Sequence, residues 1–157
     1  MFFDRKEIAK KLSIEPGQIK IGLTASTWDL FHAGHNVMLM EAKSLCDYLI
    51  VGLLVDPTKD RPDTKNKPIQ SVFERYIQVA SCKYVDEIVV FESEQDLVDM
   101  ILTINPDIRI VGEEYRDVDH TGKGLCPIHY NKRRHSFSTS ELRQRVYAAE
   151  LERINKT

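Results

Sequence analysis

The run D-Y-L-I-V-G-L-L-V at residues 47–55 limits the choice of fold more than any other stretch. It is almost continuously apolar, bounded by charged residues, and too short for a buried helix. Such a run suits a strand covered on both faces, as in a parallel sheet whose crossover helices lie above and below it. The neighbouring segments supply those crossovers. Capping-box spacing at Asp4 and Glu7 predicts a helix over 4–12, and Pro16-Gly17 predicts a turn. I-K-I-G-L-T-A predicts a strand over 19–25, and Val37, Met38, Glu41, Ala42 and Leu45 fall at helical spacing within 34–46. Ser71 and Glu74 open a helix to about Cys82, followed by a strand over 86–91, a helix over 93–105 and a strand over 107–112. A short strand over 125–130 and a helix from Ser138 to about Ile154, with a third capping box at Ser138 and Glu141, complete the chain. Strands alternating with helices predict an α/β fold, a doubly wound parallel sheet with helices on both faces. The 157 residues form a single domain with its core over about 20–146, without repeat or linker.

Composition excludes several classes of function. A net charge of −2 gives no electrostatic case for nucleic acid or a membrane surface. No apolar stretch approaches the roughly 20 residues of a membrane span, and the start M-F-F-D-R-K-E-I does not resemble a signal peptide. Cys46, Cys82 and Cys126 are odd in number and far apart, which fits reduced thiols in the cytoplasm.

The chemistry concentrates in T-W-D-L-F-H-A-G-H, residues 27–35, between the first strand and its helix. In an open α/β sheet, ligands bind outside the carboxyl ends of the strands. Gly34 permits close backbone approach there, and the helix start offers unpaired N–H groups to phosphate. His32 and His35 are placed to donate hydrogen bonds to phosphate oxygens; a metal pair is the competing reading, but no third ligand is evident. The polar segment 56–68 contains three prolines and Lys59, Arg61, Lys65 and Lys67, and reads as a loop or substrate lid.

Taken together, several ordered motifs resemble the cytidylyltransferase-like nucleotidyltransferases. D-L-F-H-A-G-H matches that family's H-x-G-H pattern, with Trp28 in its usual Phe position. A-K-S-L-C-D-Y-L-I-V-G, E-R-Y and K-Y-V-D-E-I resemble its later segments, and S-T-S at 138–140 resembles the end of R-T-E-G-I-S-T-S. The resemblance covers about 20–146 and implies a Rossmann-like H-x-G-H fold. It further implies transfer of a nucleoside monophosphate from CTP or ATP to a small phosphorylated acceptor such as glycerol 3-phosphate, with release of pyrophosphate. On this resemblance His32 and His35 contact the triphosphate, Thr27 lies near its phosphates, Asp29 orients the loop, and Trp28 lines the site or the core. Ser138 and Thr139 hold the outer phosphates, Ser138 also being readable as a plain helix cap. Lys65 is the expected catalytic lysine, with Lys59, Arg61 and Lys67 as rivals. Arg133 falls on the family's arginine, or belongs to a basic surface with Lys132 and Arg134. Arg75 is expected to tie its helix to the sheet through an ion pair, whereas His120, His129 and His135 carry no motif. Magnesium is expected with the nucleotide, and a homodimer is the family's common state.

Two departures bear on specificity. Ser26 stands where the family usually has Gly, and R-T-E-G-I-S-T becomes R-R-H-S-F-S-T. G-E-E-Y-R-D at 112–117 is also similar to a segment of the sugar-phosphate adenylyltransferases. Three readings therefore stand: a CTP-dependent cytidylyltransferase, an ATP-dependent adenylyltransferase of sugar phosphates, and a nucleotide-binding module without catalysis.

Overall fold

The computed structural model describes residues 3–156, so Met1 and Phe2, part of the start read against a signal peptide, lie outside the described residues. The predicted architecture is borne out. Its elements are α1 (Arg5–Leu12), β1 (Ile21–Ser26), α2 (Ala33–Ser44), β2 (Tyr48–Leu54), α3 (Val72–Ala80), β3 (Glu87–Phe91), α4 (Glu94–Ile104), β4 (Ile108–Gly112), β5 (Ile128–Asn131) and α5 (Thr139–Asn155). A single 3₁₀ turn, Glu113–Tyr115, follows β4. The strands form one sheet in the order β3-β2-β1-β4-β5, with every adjacent pair parallel. β1 is central, and the strand order reverses between β1 and β4, where such sheets open a crevice.

The apolar run behaves as its composition demands, because every residue of β2 is buried. Alternate side chains point to opposite faces of the sheet. Tyr48 and Ile50 join Ile21 and Leu23 on one face, packed against Ala9 of α1 and Leu97, Met100, Ile101 and Ile104 of α4. Leu49, Val51 and Leu53 join Ile110 on the other, against Leu39 and Ala42 of α2 and Val79 of α3. Gly52 is required within this run, since a Cβ there would meet Ala25 Cβ at 2.9 Å.

Several boundaries shift. β1 begins at Ile21 rather than Ile19, α3 ends at Ala80, and β5 spans Ile128–Asn131 rather than 125–130. β5 is an edge strand paired on one side only, so apolar pattern marks its ends weakly. Ser71 and Glu74 form a reciprocal cap at α3, and Ser93 with Asp96 forms another at α4. The expected ion pair of Arg75 is corrected. This side chain is 1% exposed and donates to four backbone carbonyls: Nη1 to Thr27 (2.9 Å) and Leu54 (2.7 Å), Nη2 to Val55 (2.7 Å) and Nε to Gln70 (3.2 Å). The chain turns away from the sheet at these points and leaves its carbonyls without ladder partners; a forked guanidinium satisfies several at once.

Candidate active site

The carboxyl ends of the strands surround a cleft of about 750 Å³. On one side the chain leaves β1 through Trp28 and Leu30, both in the left-handed region with φ of 55° and 48°. Three anchors stabilise this conformation. Trp28 is fully buried and donates Nε1–H to the Gly52 carbonyl at 2.8 Å. The Asp29 carboxylate accepts the N–H groups of Ile69 and Gln70, both at 2.9 Å, and the Gln70 side chain accepts the Leu30 N–H at 2.8 Å. Asp29 thus binds the β1–α2 loop to the end of the 56–70 segment. Its oxygens are already used in positioning that backbone.

His32 is the N-cap of α2. Its Nδ1 accepts the Gly34 N–H at 3.0 Å, while His35 Nδ1 accepts the His32 N–H at 3.3 Å. The two rings stack with centroids 3.9 Å apart, and His35 also meets Trp28 edge-on at 5.3 Å. A Cβ on Gly34 would lie 2.8 Å from the His32 ring and 3.0 Å from the Phe137 carbonyl oxygen, so only glycine admits this approach. With both Nδ1 atoms accepting backbone N–H groups, each neutral ring carries its proton on Nε2. Burial, followed by the positive charge at His32 and Arg133, pushes His35 down to about 3. Burial, Arg133 and His135 lower His32 as well. Both rings are therefore neutral donors at pH 7.

The N-terminus of α5 meets this arrangement. Ser138 caps it by accepting the Glu141 N–H at 3.1 Å. Thr139 Oγ1 lies 3.2 Å from His32 Nε2 and donates to the Asp29 carbonyl at 3.4 Å. Two helix starts thereby face one space, and each turns positive dipole potential toward it.

Thr27, Trp28, His32, Gly34, His35, Lys65, Arg133, Ser138 and Thr139 all line the cleft. Asp29 lines a narrower recess of about 200 Å³, which shares Thr27, Trp28, His35, Lys65 and Thr139 with it. Among the loop cations, Lys65 borders both spaces and donates to the Tyr115 hydroxyl at 3.5 Å. Arg61 borders the cleft and Lys67 the recess, whereas Lys59 pairs with Glu92 at 3.2 Å. No group of three or more His, Cys, Asp or Glu side chains among the described residues is placed to hold a metal ion.

Sequence reasoning missed several lining residues. His120 and His135, left without a role, both border the cleft; His120 lies 3.2 Å from the Tyr130 hydroxyl and His135 stacks on Phe137 at 4.9 Å. His129 instead pairs with Glu41 at 2.9 Å. Arg143 of α5 borders the recess. Arg109, Glu94 and Thr121 border the cleft as well. Arg109 alone carried a readable signal, because a charge within I-R-I-V is out of place in a buried parallel strand.

The model of the cytidylyltransferase-like family matches residues 23–145. Bifunctional protein HldE of Campylobacter jejuni (strain 81116 / NCTC 11828) is 30% identical over 153 residues, covering 92% of this chain and 33% of that protein. Ethanolamine-phosphate cytidylyltransferase of Dictyostelium discoideum is 35% identical over 127 residues, covering 68% of this chain and 35% of that protein. The chain thus spans about a third of the length of these curated relatives. Among solved structures, pantoate-beta-alanine ligase from Francisella tularensis superposes with a TM-score of 0.57 at 18% identity, covering 89% of this chain and 71% of that one. The lipopolysaccharide core biosynthesis protein from Thermoplasma volcanium gives 0.54 at 21%, covering 84% and 89%. At these identities the structural likeness speaks for the fold alone.

Proposed function

Because the chain belongs to the cytidylyltransferase-like family, we propose that it is a nucleotidyltransferase. A phosphate oxygen of a small acceptor attacks the α-phosphorus of a nucleoside triphosphate, the bond to the bridging oxygen breaks, and pyrophosphate leaves. The observation that carries this reading is the stacked, neutral pair His32 and His35 at the start of α2, bordered by Lys65 and Arg133. Charge in such a displacement builds on phosphoryl oxygens, so fixed N–H donors and nearby cations lower its barrier without covalent chemistry from the protein. Two Nε2–H donors with rotation blocked by backbone bonds to Nδ1 meet that requirement. Lys65, Lys67 and Arg143 around the recess suit the outer phosphates that depart. Magnesium belongs to this reading as part of the incoming nucleotide complex, where it supplies charge neutralisation. The cationic lining of the recess is fitted to phosphate oxygens rather than to a resident metal.

The first choice is CTP with an acceptor such as glycerol 3-phosphate, supported by the family match and by the cytidylyltransferase relative. A second reading, ATP with a sugar phosphate, is favoured by one feature. His135 stacked on Phe137 presents an aromatic surface beside α5, where the larger purine would gain contact. Pyrophosphate release measured with CTP and with ATP across polyol, amino-alcohol and sugar phosphates separates these readings. Release with ATP alone overturns the first choice, and release with neither leaves only a binding module. A cytoplasmic setting fits the free thiols of Cys46, Cys82 and Cys126. A homodimer is supported by the exposed apolar Phe73 and Ile77 of α3 and Met40 of α2, and light scattering on the purified chain tests it.

A further inference from the structure

The cleft is lined by a second polar cluster besides the histidine pair, and that cluster has a different chemistry. Arg109 projects from β4 and is 6% exposed, with Nη1 donating to the Thr121 carbonyl at 2.6 Å. Arg61 Nη2 pairs with Glu94 Oε1 at 2.9 Å, and the other Glu94 oxygen accepts the Thr121 hydroxyl. Gly122, at φ +74°, lies so close over Arg109 that a Cβ there would stand 2.7 Å from Nη1. The backbone therefore holds the guanidinium in place. Yet the cluster is not a closed structural network, because Arg61 and Arg109 each retain a buried Nε without a hydrogen-bond partner. Buried polar groups left in this state call for an explanation beyond folding. Leu97 and Phe91 complete the same wall with apolar surface.

We infer that Arg61, Glu94, Arg109 and Thr121 form the subsite for the non-reacting part of the acceptor, and that it selects acceptors carrying neighbouring hydroxyl groups. The reason is complementarity of donors and acceptors. A hydroxyl both donates and accepts, so it bonds to a guanidinium and a carboxylate side by side. An ammonium group accepts no hydrogen bond, whether it donates as in phosphoethanolamine or has no N–H as in phosphocholine, and its charge would face two guanidinium groups. A second carboxylate offers only acceptors and would face Glu94. The apolar wall suits the C–H surface of a polyol chain or sugar ring. This assignment rests on the transferase reading, in which the histidine pair holds the reacting phosphates.

The test compares glycerol 3-phosphate and glucose 1-phosphate with phosphocholine and phosphoethanolamine, each with CTP and ATP, in the wild-type chain and in Glu94→Gln and Thr121→Val. The hydroxylated acceptors are expected to give kcat/KM at least about 100-fold higher, as sites built to hydrogen-bond a substrate hydroxyl discriminate strongly. Glu94→Gln is expected to raise the acceptor KM about tenfold while the nucleotide KM stays constant. Thr121→Val shifts the same constant by less. Equal or better turnover of phosphocholine overturns the selectivity, and a nucleotide KM rising in step with the acceptor KM overturns the subsite. If no acceptor releases pyrophosphate, the transferase reading itself falls, and calorimetry of glycerol 3-phosphate binding then decides the subsite. A tenfold weaker affinity in Glu94→Gln supports it, and an unchanged affinity overturns it.

Discussion

Two helix starts face the cleft, and they are built in opposite ways. α2 is anchored in the core through Leu39 and Ala42, and its first turn is fixed by the reciprocal bonds between His32 and His35. α5 is longer, yet none of its residues is buried. Its first turn reaches the site through Thr139, which contacts His32 and the Asp29 carbonyl. A donor that must stabilise a transition state needs fixed geometry, which α2 gains from packing. A helix without a buried face is free to close on a ligand, and α5 is held to the loop by polar contacts that a nucleotide can extend. On the proposed transferase reading, the difference puts the fixed donors on α2 and a polar, less packed ligand contact on α5.

The largest expected effect breaks the α2 side. His35→Ala removes a donor held against the Trp28 edge, and turnover should fall by about a thousandfold, the scale of a lost transition-state donor. Unchanged far-ultraviolet circular dichroism checks that the fold persists; turnover within tenfold of wild type would remove the catalytic role. Next comes the junction itself. Thr139→Val deletes the hydroxyl between His32 and the Asp29 carbonyl, and should lower kcat/KM for the nucleotide by about tenfold, the equivalent of roughly one hydrogen bond. Thr139→Ser should restore it. Because no residue of α5 is fully buried, the melting temperature should barely move in either variant; a large drop would mean that α5 is structural after all.

The smallest effect concerns pH. In the unfolded chain a histidine binds its proton near pH 6.5, whereas His35 in the fold resists protonation until about pH 3. Between those values the unfolded state holds more protons, so the fold loses stability as pH falls, at a rate of up to about 1.4 kcal/mol per pH unit for this group. Stability is fully present above pH 6.5. Melting curves at pH 7.5 and 5.0 should show a larger loss in wild type than in His35→Gln. The reverse order would contradict a neutral buried ring. By the same sign, kcat/KM should show no inflection near 6.5 from His35.

How much of this was legible before folding differs from residue to residue. The 47–55 run announced a doubly covered strand, because burial on both faces leaves no room for polar alternation. Ser71, Ser93 and Ser138 each act as helix caps, since capping is a local interaction within one turn. The Ser93–Asp96 pair was not anticipated, and the box expected at Ser138 and Glu141 is one-sided, because Ser138 accepts the Glu141 N–H without a return bond. The loop around His32 and His35 was legible as well, because its glycine and histidines sit within a few residues of one another. Arg75 was not, since its acceptors are carbonyls from two strand ends and a loop, and sequence does not say where carbonyls fall unpaired.

The sequence by itself determined the alternation of strands and helices, the family, and the loop that carries His32 and His35, all of which depend on neighbours along the chain. Only the tertiary structure decided that Thr139 meets His32 across 107 positions, and that Arg61, Glu94, Arg109 and Thr121 form one cluster in the cleft. Those contacts join Arg109 near the start of β4, two loops and the starts of separate helices, and their partners are chosen by the order of strands in the sheet. No local pattern encodes that order, so the sheet had to form before the cleft could be read.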